Sequence, residues 1–318
     1  MGKVRSLNQQ IQYAITQHIA FGQSKHADKR NSQTATDNKI YSINRTEDLR
    51  ETTKAFCRYM KERHPDVRMV RDIRAEHVQA YIAHKAPVWT ERTAREVASR
   101  FHKLDKLVSI TYRGTREFSR DIAPKYEKAH KIRDKAMGKE HFDKLRESFA
   151  NSRSVGRDAI EITARCGLRV SEVACLRTQD INLERGTLYV RREGAKNGRE
   201  RYVPIREQDR AFFADLRDKS LAHIGGYVCK GSGANTINKA IRREMGKITL
   251  DDGRTMAAHY VKTTEHAIRK MYATERMVEI RGAEQLEDRK AEMRAFDIVS
   301  CELGHGENRH ELYKDYIK

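Results

Sequence analysis

The stretch "ARCGLRVSEVACLR" (residues 164–177) holds a charged side chain where its own pattern calls for an apolar one. Ile162, Cys166, Arg169, Val173 and Leu176 recur at alternating spacings of four and three, the mark of one helix face. Only Arg169 among them is charged, and burying a guanidinium without a partner is costly. Gly167 disfavours a single continuous helix, and Ser171 can cap a new one, "SEVACLR", with Glu172 in its first turn. Arg169 then sits at a tight junction, a rigid and permanently charged fork suited to gripping a phosphate through two hydrogen bonds, with Glu172 orienting it. A purely structural Arg–Glu pair is the alternative.

Further polar side chains lie downstream. In "TEHAIRKMYA", His266 and Arg269 stand at i and i+3 and share a helix face. Arginine is no metal ligand, so the pair reads as an imidazole and a second phosphate fork, not as a zinc site. Lys196 falls at the tip of a hairpin, "EGAKNG". His305 lies in "ELGHGE", just after an apolar helical pattern of Met293, Phe296 and Val299, and Tyr313 and Tyr316 follow in "ELYKDYIK". Taken singly, each has a plain structural reading: a surface lysine, a capping histidine, a packing tyrosine.

The elements that must position them are mostly helices. Residues 1–45 are polar, with a run "NSQTATDN" free of periodicity, and read as an arm with at most one short helix around Ile11 to Phe21. Leu49, Thr53, Phe56 and Met60 predict a helix capped by Thr46 and stopped by Pro65. Val78, Tyr81 and Ile82 mark a second helix. Ala94, Val97, Phe101, Leu104 and Val108 mark a third, opening at Thr90, and a fourth is expected from about Ser119 to Lys135. Residues 46–137 thus form a small all-α domain. The pattern breaks at Met137-Gly138, where a second domain, 138–318, begins. It opens with helices near 140–150 and 156–166, continues as a hairpin with alternating Leu188, Val190, Val203 and Ile205, and is otherwise helical. The expected fold is mainly α, with one small antiparallel sheet.

Charge indicates the partner. Charged residues make up 34% of the 318-residue chain, the net charge is +19 and the pI about 9.7, which points to a polyanion, nucleic acid first. Residues 1–137 carry 29 Lys and Arg against 16 Asp and Glu, and residues 138–318 carry 35 against 29. No window approaches the ~18 apolar residues of a membrane span. The cysteines, Cys57, Cys166, Cys175, Cys229 and Cys301, include no C-x-x-C pair and suggest buried thiols in a reducing cytosol.

In chain order these residues read Arg, Lys, His-x-x-Arg, His, Tyr. That set resembles the signature of the tyrosine recombinase (phage integrase) family. "ARCGLRVSEVACLR" resembles its first arginine box, "AKNGRERYVPI" the hairpin carrying its lysine, and "EHAIRKMYA" with "ELGHG" its second box. The resemblance covers residues 138–318. It further likens 46–137 to the family's SAM-like core-binding domain and 1–45 to a variable arm. It implies that Arg169 and Arg269 clamp the scissile phosphate and that Lys196 protonates the leaving 5′ oxygen. His266 would assist proton transfer from the tyrosine, and His305 would hydrogen-bond the phosphate. A tyrosine would attack phosphorus to give a 3′-phosphotyrosyl intermediate, without metal or other cofactor. The implied activity is site-specific DNA recombination that integrates or excises a mobile element. The implied partners are a double-stranded attachment site and further copies of the chain, as a tetramer on DNA, and the implied location is the cytoplasm, on the nucleoid, for a bacterial or phage-encoded protein.

The chain departs from the family in places. Lys270 stands where a histidine is common, and Arg269 and His305 lie 36 residues apart, lengthened by the charged segment "EIRGAEQLEDRKAE". The tyrosine is expected nine residues after His305, where Lys314 stands. We take Tyr316 as the nucleophile. "GENR" then reads as a lengthened loop before a helix "HELYKDYI", on which Leu312 and Tyr316, four apart, share a face. Tyr313 is the alternative. A catalytically silent DNA-binding regulator on the same fold is the competing function. An RNA-binding role lacks an aromatic stacking motif on a predicted sheet.

Overall fold

The computed structural model describes the chain apart from residues 1–4, 24, 32–35, 115–116, 123–134, 262–263, 283–284 and 318. The chain divides into two compact units, Met1–His130 and Lys131–Lys318. Among the described residues no helix is long and apolar enough to cross a membrane.

The first unit is helical: α1 (Leu7–Gln17), α2 (Lys25–Arg30), α3 (Ile43–Arg63), α4 (Ala75–Lys85) and α5 (Glu91–Thr111). Helix α5 follows its expected pattern, with the Thr90 hydroxyl accepting from the Thr93 N–H at its N-cap. The rings of Phe56, Tyr81 and Phe101, one from each of α3, α4 and α5, meet edge to face at centroid distances of 5.1–5.9 Å.

Two expectations change here. Helix α3 starts a turn before Thr46: Ser42 is its N-cap, accepting from the Arg45 N–H, and Thr46 is buried with its hydroxyl turned back to the Ser42 carbonyl. Residues 1–45 are also no separate arm. Leu7, Ile11, Ala14 and Ile15 bury one face of α1 against α3 and α5. The buried Gln10 side chain donates to the Arg68 carbonyl and accepts from the Val70 N–H. The polar run at 31–38 masked a helix whose four apolar residues suffice to join a core. The helix expected over 119–135 falls largely outside the described residues.

The second unit comprises α6 (Lys139–Phe149), α7 (Val155–Cys166), α8 (Val170–Cys175), strands β1 (Ile181–Asn182), β2 (Thr187–Val190) and β3 (Arg201–Pro204), α9 (Arg210–Ser220), α10 (Ala234–Met245), α11 (Met256–His259), α12 (Glu265–Arg281), α13 (Arg289–Glu302) and α14 (Tyr313–Tyr316). The sheet is antiparallel in the order β1-β2-β3, with Leu188 opposite Val203 and Val190 opposite Arg201. Leu188, Val190, Val203 and Ile205 are buried, while Tyr189 and Tyr202 pair on the outer face. Met137, expected at a boundary, belongs to this core, its N–H bonded to the Ala267 carbonyl. Helices α7 and α12 pack together at the centre, α12 next to α13. A smaller apolar cluster of Tyr272, Met277, Phe296, Val299 and Leu303 supports the C-terminal residues.

Candidate active site

The first box folds around Gly167, which closes α7 in the left-handed region at φ 60°. A Cβ there would overlap the Tyr272 ring and the Leu303 side chain, so this turn needs glycine for both backbone and space. Arg169 follows in extended conformation and is itself the N-cap of α8. Ser171, expected as that cap, lies one position inside the helix and donates instead to the Gly194 carbonyl at 2.8 Å, tying α8 to the hairpin tip. The capping is done by Glu172, which accepts from the Arg169 N–H at 2.8 Å and from its Nη1 at 2.9 Å.

Glu172 is a hub. Arg201, on β3, grips it with Nη1 and Nη2, each at 2.9 Å, and donates its Nε to the Glu302 carbonyl at 2.7 Å. Burial raises the Glu172 pKa, but the Arg201 hydrogen bonds and charge, with Arg269 and the Arg169 N–H, outweigh it and hold the carboxyl below its ordinary value. Burial and the neighbouring Arg269 lower the Arg169 pKa, and an arginine keeps its proton regardless.

Arg269 is fully buried on α12. Its Nη1 donates to the Gly167 carbonyl and its Nη2 to the Leu303 carbonyl. The same Nη2 lies 3.4 Å from His305 Nε2. His305 follows the left-handed Gly304 and is fixed by its N–H on the Ser300 carbonyl. Burial, then the charges of Arg269, Arg169, Arg309 and Lys196, push the His305 pKa down to about 3, so the ring is neutral near pH 7. An arginine only donates, so Nε2 is the ring's acceptor and the proton is on Nδ1.

The hydroxyl of Tyr316 lies 3.1 Å from that Nε2. The Tyr316 ring stands edge-on to His305 and His266 at 5.3 and 5.8 Å, and the Arg269 guanidinium carbon is 5.9 Å from its centroid. Tyr313 faces elsewhere, packing on Phe296 and donating its hydroxyl to Glu292 Oε1 at 2.5 Å. The segment carrying both tyrosines is a 3-10 turn, His310–Leu312, followed by the single turn of α14, not one helix from His310.

Lys196 opens a short turn at the hairpin tip and is exposed. With Arg169, His266, His305 and Tyr316 it lines one open cleft, completed by Asn235, Asn238, Lys239 and Arg242 of α10. Of the residues singled out by type and spacing, Arg169, Lys196, His266, His305 and Tyr316 therefore meet around one space; Arg269 is buried behind it, and Tyr313 lies outside it.

Three features escaped the sequence reading. Arg201 was legible in principle: strand alternation puts it on the face of Val203, a charge pointing inward. The polar residues of α10 recur at 235, 238, 239 and 242, one helix face. Glu265, beside His266, is buried with its carboxylate on the Thr163 hydroxyl at 3.2 Å; burial outweighs Arg269 and pushes its pKa up to about 7. Nothing in its local pattern marks it as buried.

Residues 123–280 match the phage integrase family. Tyrosine recombinase XerA of Pyrococcus furiosus is 29% identical over 164 residues, 50% of this chain and 54% of that protein. The chain thus spans about half the length of the curated relative it matches. Among solved structures, XerH site-specific recombinase bound to difH substrate aligns with TM-score 0.60 at 14% identity, covering 98% of this chain and 91% of that one. The Tn1549 transposon integrase in complex with transposon right end DNA gives 0.58 at 13%, covering 98% and 94%. A lambda integrase dimer bound to a COC' core site gives 0.57 at 17%, covering 91% and 93%. At such identities the structural likeness speaks to the fold.

Proposed function

Because the chain belongs to the tyrosine recombinase (phage integrase) family, we propose that it is a site-specific DNA recombinase that cleaves and rejoins strands through a 3′-phosphotyrosine at Tyr316. The observation that carries this reading is the Tyr316 hydroxyl held 3.1 Å from His305 in a cleft that also presents Arg169 and Lys196, with Arg269 behind it. Arg169 and Arg269 bind the non-bridging oxygens of the scissile phosphate and offset the charge that grows on them during attack. Tyr316 Oη forms a bond to phosphorus as the bond to the 5′ oxygen breaks. His266 assists the transfer of the phenolic proton, while His305 holds the hydroxyl in the free protein and hydrogen-bonds the phosphate in the complex. Lys196 gives its proton to the departing 5′ oxygen. One phosphoester bond replaces another, so a 5′ hydroxyl can reverse the reaction without a nucleotide. Glu172, fixed by Arg201, orients the Arg169 fork.

In this reading the substrate is a duplex attachment site, the working assembly is a tetramer of this chain on DNA, and the biological outcome is integration or excision of a mobile element in the cytoplasm, on the nucleoid. The test is a nicked suicide duplex carrying the cognate site, on which the strand released after cleavage diffuses away. A denaturant-resistant protein–DNA adduct is expected. Tight, specific binding with no adduct would instead establish a catalytically silent DNA-binding regulator.

A further inference from the structure

Helix α14 is a single turn of four residues, Tyr313–Tyr316. A helix that short has no stability of its own, because nucleation costs more than one turn of hydrogen bonds returns. The placement of Tyr316 must therefore come from what α14 is tied to. The Thr274 hydroxyl donates to the Tyr316 carbonyl at 3.2 Å, and the Tyr316 hydroxyl reaches His305. Tyr316 also packs in the apolar cluster beside Ile317, and Tyr313 adds two further ties, its ring on Phe296 at 5.3 Å and its hydroxyl on Glu292 at 2.5 Å.

Glu292 lies fully buried in the first turn of α13. Its Oε1 receives the Tyr313 hydroxyl and stands 3.5 Å from Arg281 Nε at the end of α12; its Oε2 receives the Leu286 N–H at 3.2 Å. One carboxylate thus joins the end of α12, the loop before α13 and the start of α14. All but α14 belong to the charged segment that lengthens the interval between Arg269 and His305.

We propose that Tyr313 and Glu292 form a latch that positions the nucleophile, holding α14 so that Tyr316 Oη stays at the cleft. This rests on the reading of Tyr316 as the attacking residue. The geometry gives the latch leverage: Tyr313 and Tyr316 are about 4.5 Å apart along a helix axis, and attack demands an approach in which a 1 Å error costs on the order of 100-fold in rate. The Tyr313 hydroxyl, its pKa pushed up to about 12 by burial and by Glu292, remains a donor across the range in which DNA cleavage is assayed. Tyr313 and Glu292 are positioning residues and touch no reacting atom.

The experiment uses the full chain, a suicide duplex, and the variants Tyr313→Phe, Glu292→Ala and Glu292→Gln, with single-turnover adduct formation followed over a range of DNA concentrations. Tyr313→Phe and Glu292→Ala should slow adduct formation at saturating DNA by about 10- to 100-fold, with the half-saturating DNA concentration and the thermal midpoint close to wild type. Glu292→Gln keeps an oxygen for the Tyr313 hydroxyl but sets its NH2 against the Leu286 N–H, so its rate should fall between those of Glu292→Ala and wild type. A wild-type rate in Tyr313→Phe overturns the latch and leaves Tyr316 as nucleophile. Equal slowing in Glu292→Gln and Glu292→Ala, or a rate loss matched by loss of folded protein, also overturns it. No adduct in Tyr313→Phe alongside a normal adduct in Tyr316→Phe overturns the reading of the nucleophile, and the latch with it.

Discussion

Arg169 shows how a single side chain separates a fork from a point charge. Its guanidinium donates to Glu172 with one edge and lines the cleft. Arg169→Lys should be nearly as damaging to cleavage as Arg169→Ala, since an ammonium can neither satisfy Glu172 nor grip two phosphate oxygens in the same geometry; single-turnover cleavage of the three proteins checks this. Lys196 is assigned the proton for the leaving oxygen, so Lys196→Ala should be slow on an ordinary phosphodiester and restored on a substrate with sulfur at the 5′ bridging position, a leaving group that needs little protonation. Absence of rescue would make Lys196 a DNA contact only. Glu265 supplies a pH signature. Its carboxyl is raised from 4.5 to about 7 in the folded state, chiefly by burial, so the folded protein holds a proton that the unfolded chain releases above pH 4.5. The stability this contributes is present below pH 4.5 and is lost as pH rises through about 7. Glu265→Gln should accordingly gain on wild type between those limits, by on the order of 3 kcal/mol, and the gap should then level off; urea midpoints across that range would show it.

At the scale of elements, the site depends on turns more than on helices. Gly167 lets Arg269 reach the carbonyl at the end of α7 and lets Tyr272 pack beneath it. Gly167→Ala forces a Cβ into that ring at positive φ, and should destabilise the chain by roughly 2–4 kcal/mol, measurable by urea denaturation. Much of this was legible in sequence because its parts are local. A glycine two residues before a lone charged residue in an apolar face marks a helix break, and i and i+3 spacing put His266 and Arg269 together. What was not legible is long-range. The pairing of Arg201 with Glu172 joins residues 29 apart, and the tether from Tyr313 to Glu292 spans 21; no local period encodes either. Helix α1 was read as part of an arm because the polar run after it dominated the composition of residues 1–45. Four apolar residues at helical spacing were enough to bury it.

For the whole molecule, charge makes the broadest prediction. With a net charge of +19, binding to duplex DNA should weaken steeply with salt, log K falling with log salt at about −0.9 per phosphate contacted. A flat dependence would contradict a phosphate-binding surface. Strand cleavage should persist in EDTA, since the proposed charge stabilisation comes from Arg169, Arg269 and Lys196; loss on chelation with recovery in magnesium would require another chemistry. Covalent attachment of Tyr316 to DNA can be read directly, because the sequence separates the two tyrosines. Trypsin cuts after Lys314, so Tyr313 and Tyr316 fall on different peptides, "HELYK" and "DYIK". The decisive measurement is to trap the adduct on a suicide duplex, digest it with trypsin and a nuclease, and identify the nucleotide-bearing peptide by mass spectrometry. Modification of "DYIK", lost in Tyr316→Phe, is the predicted result; modification of "HELYK", or of any other peptide, would contradict it.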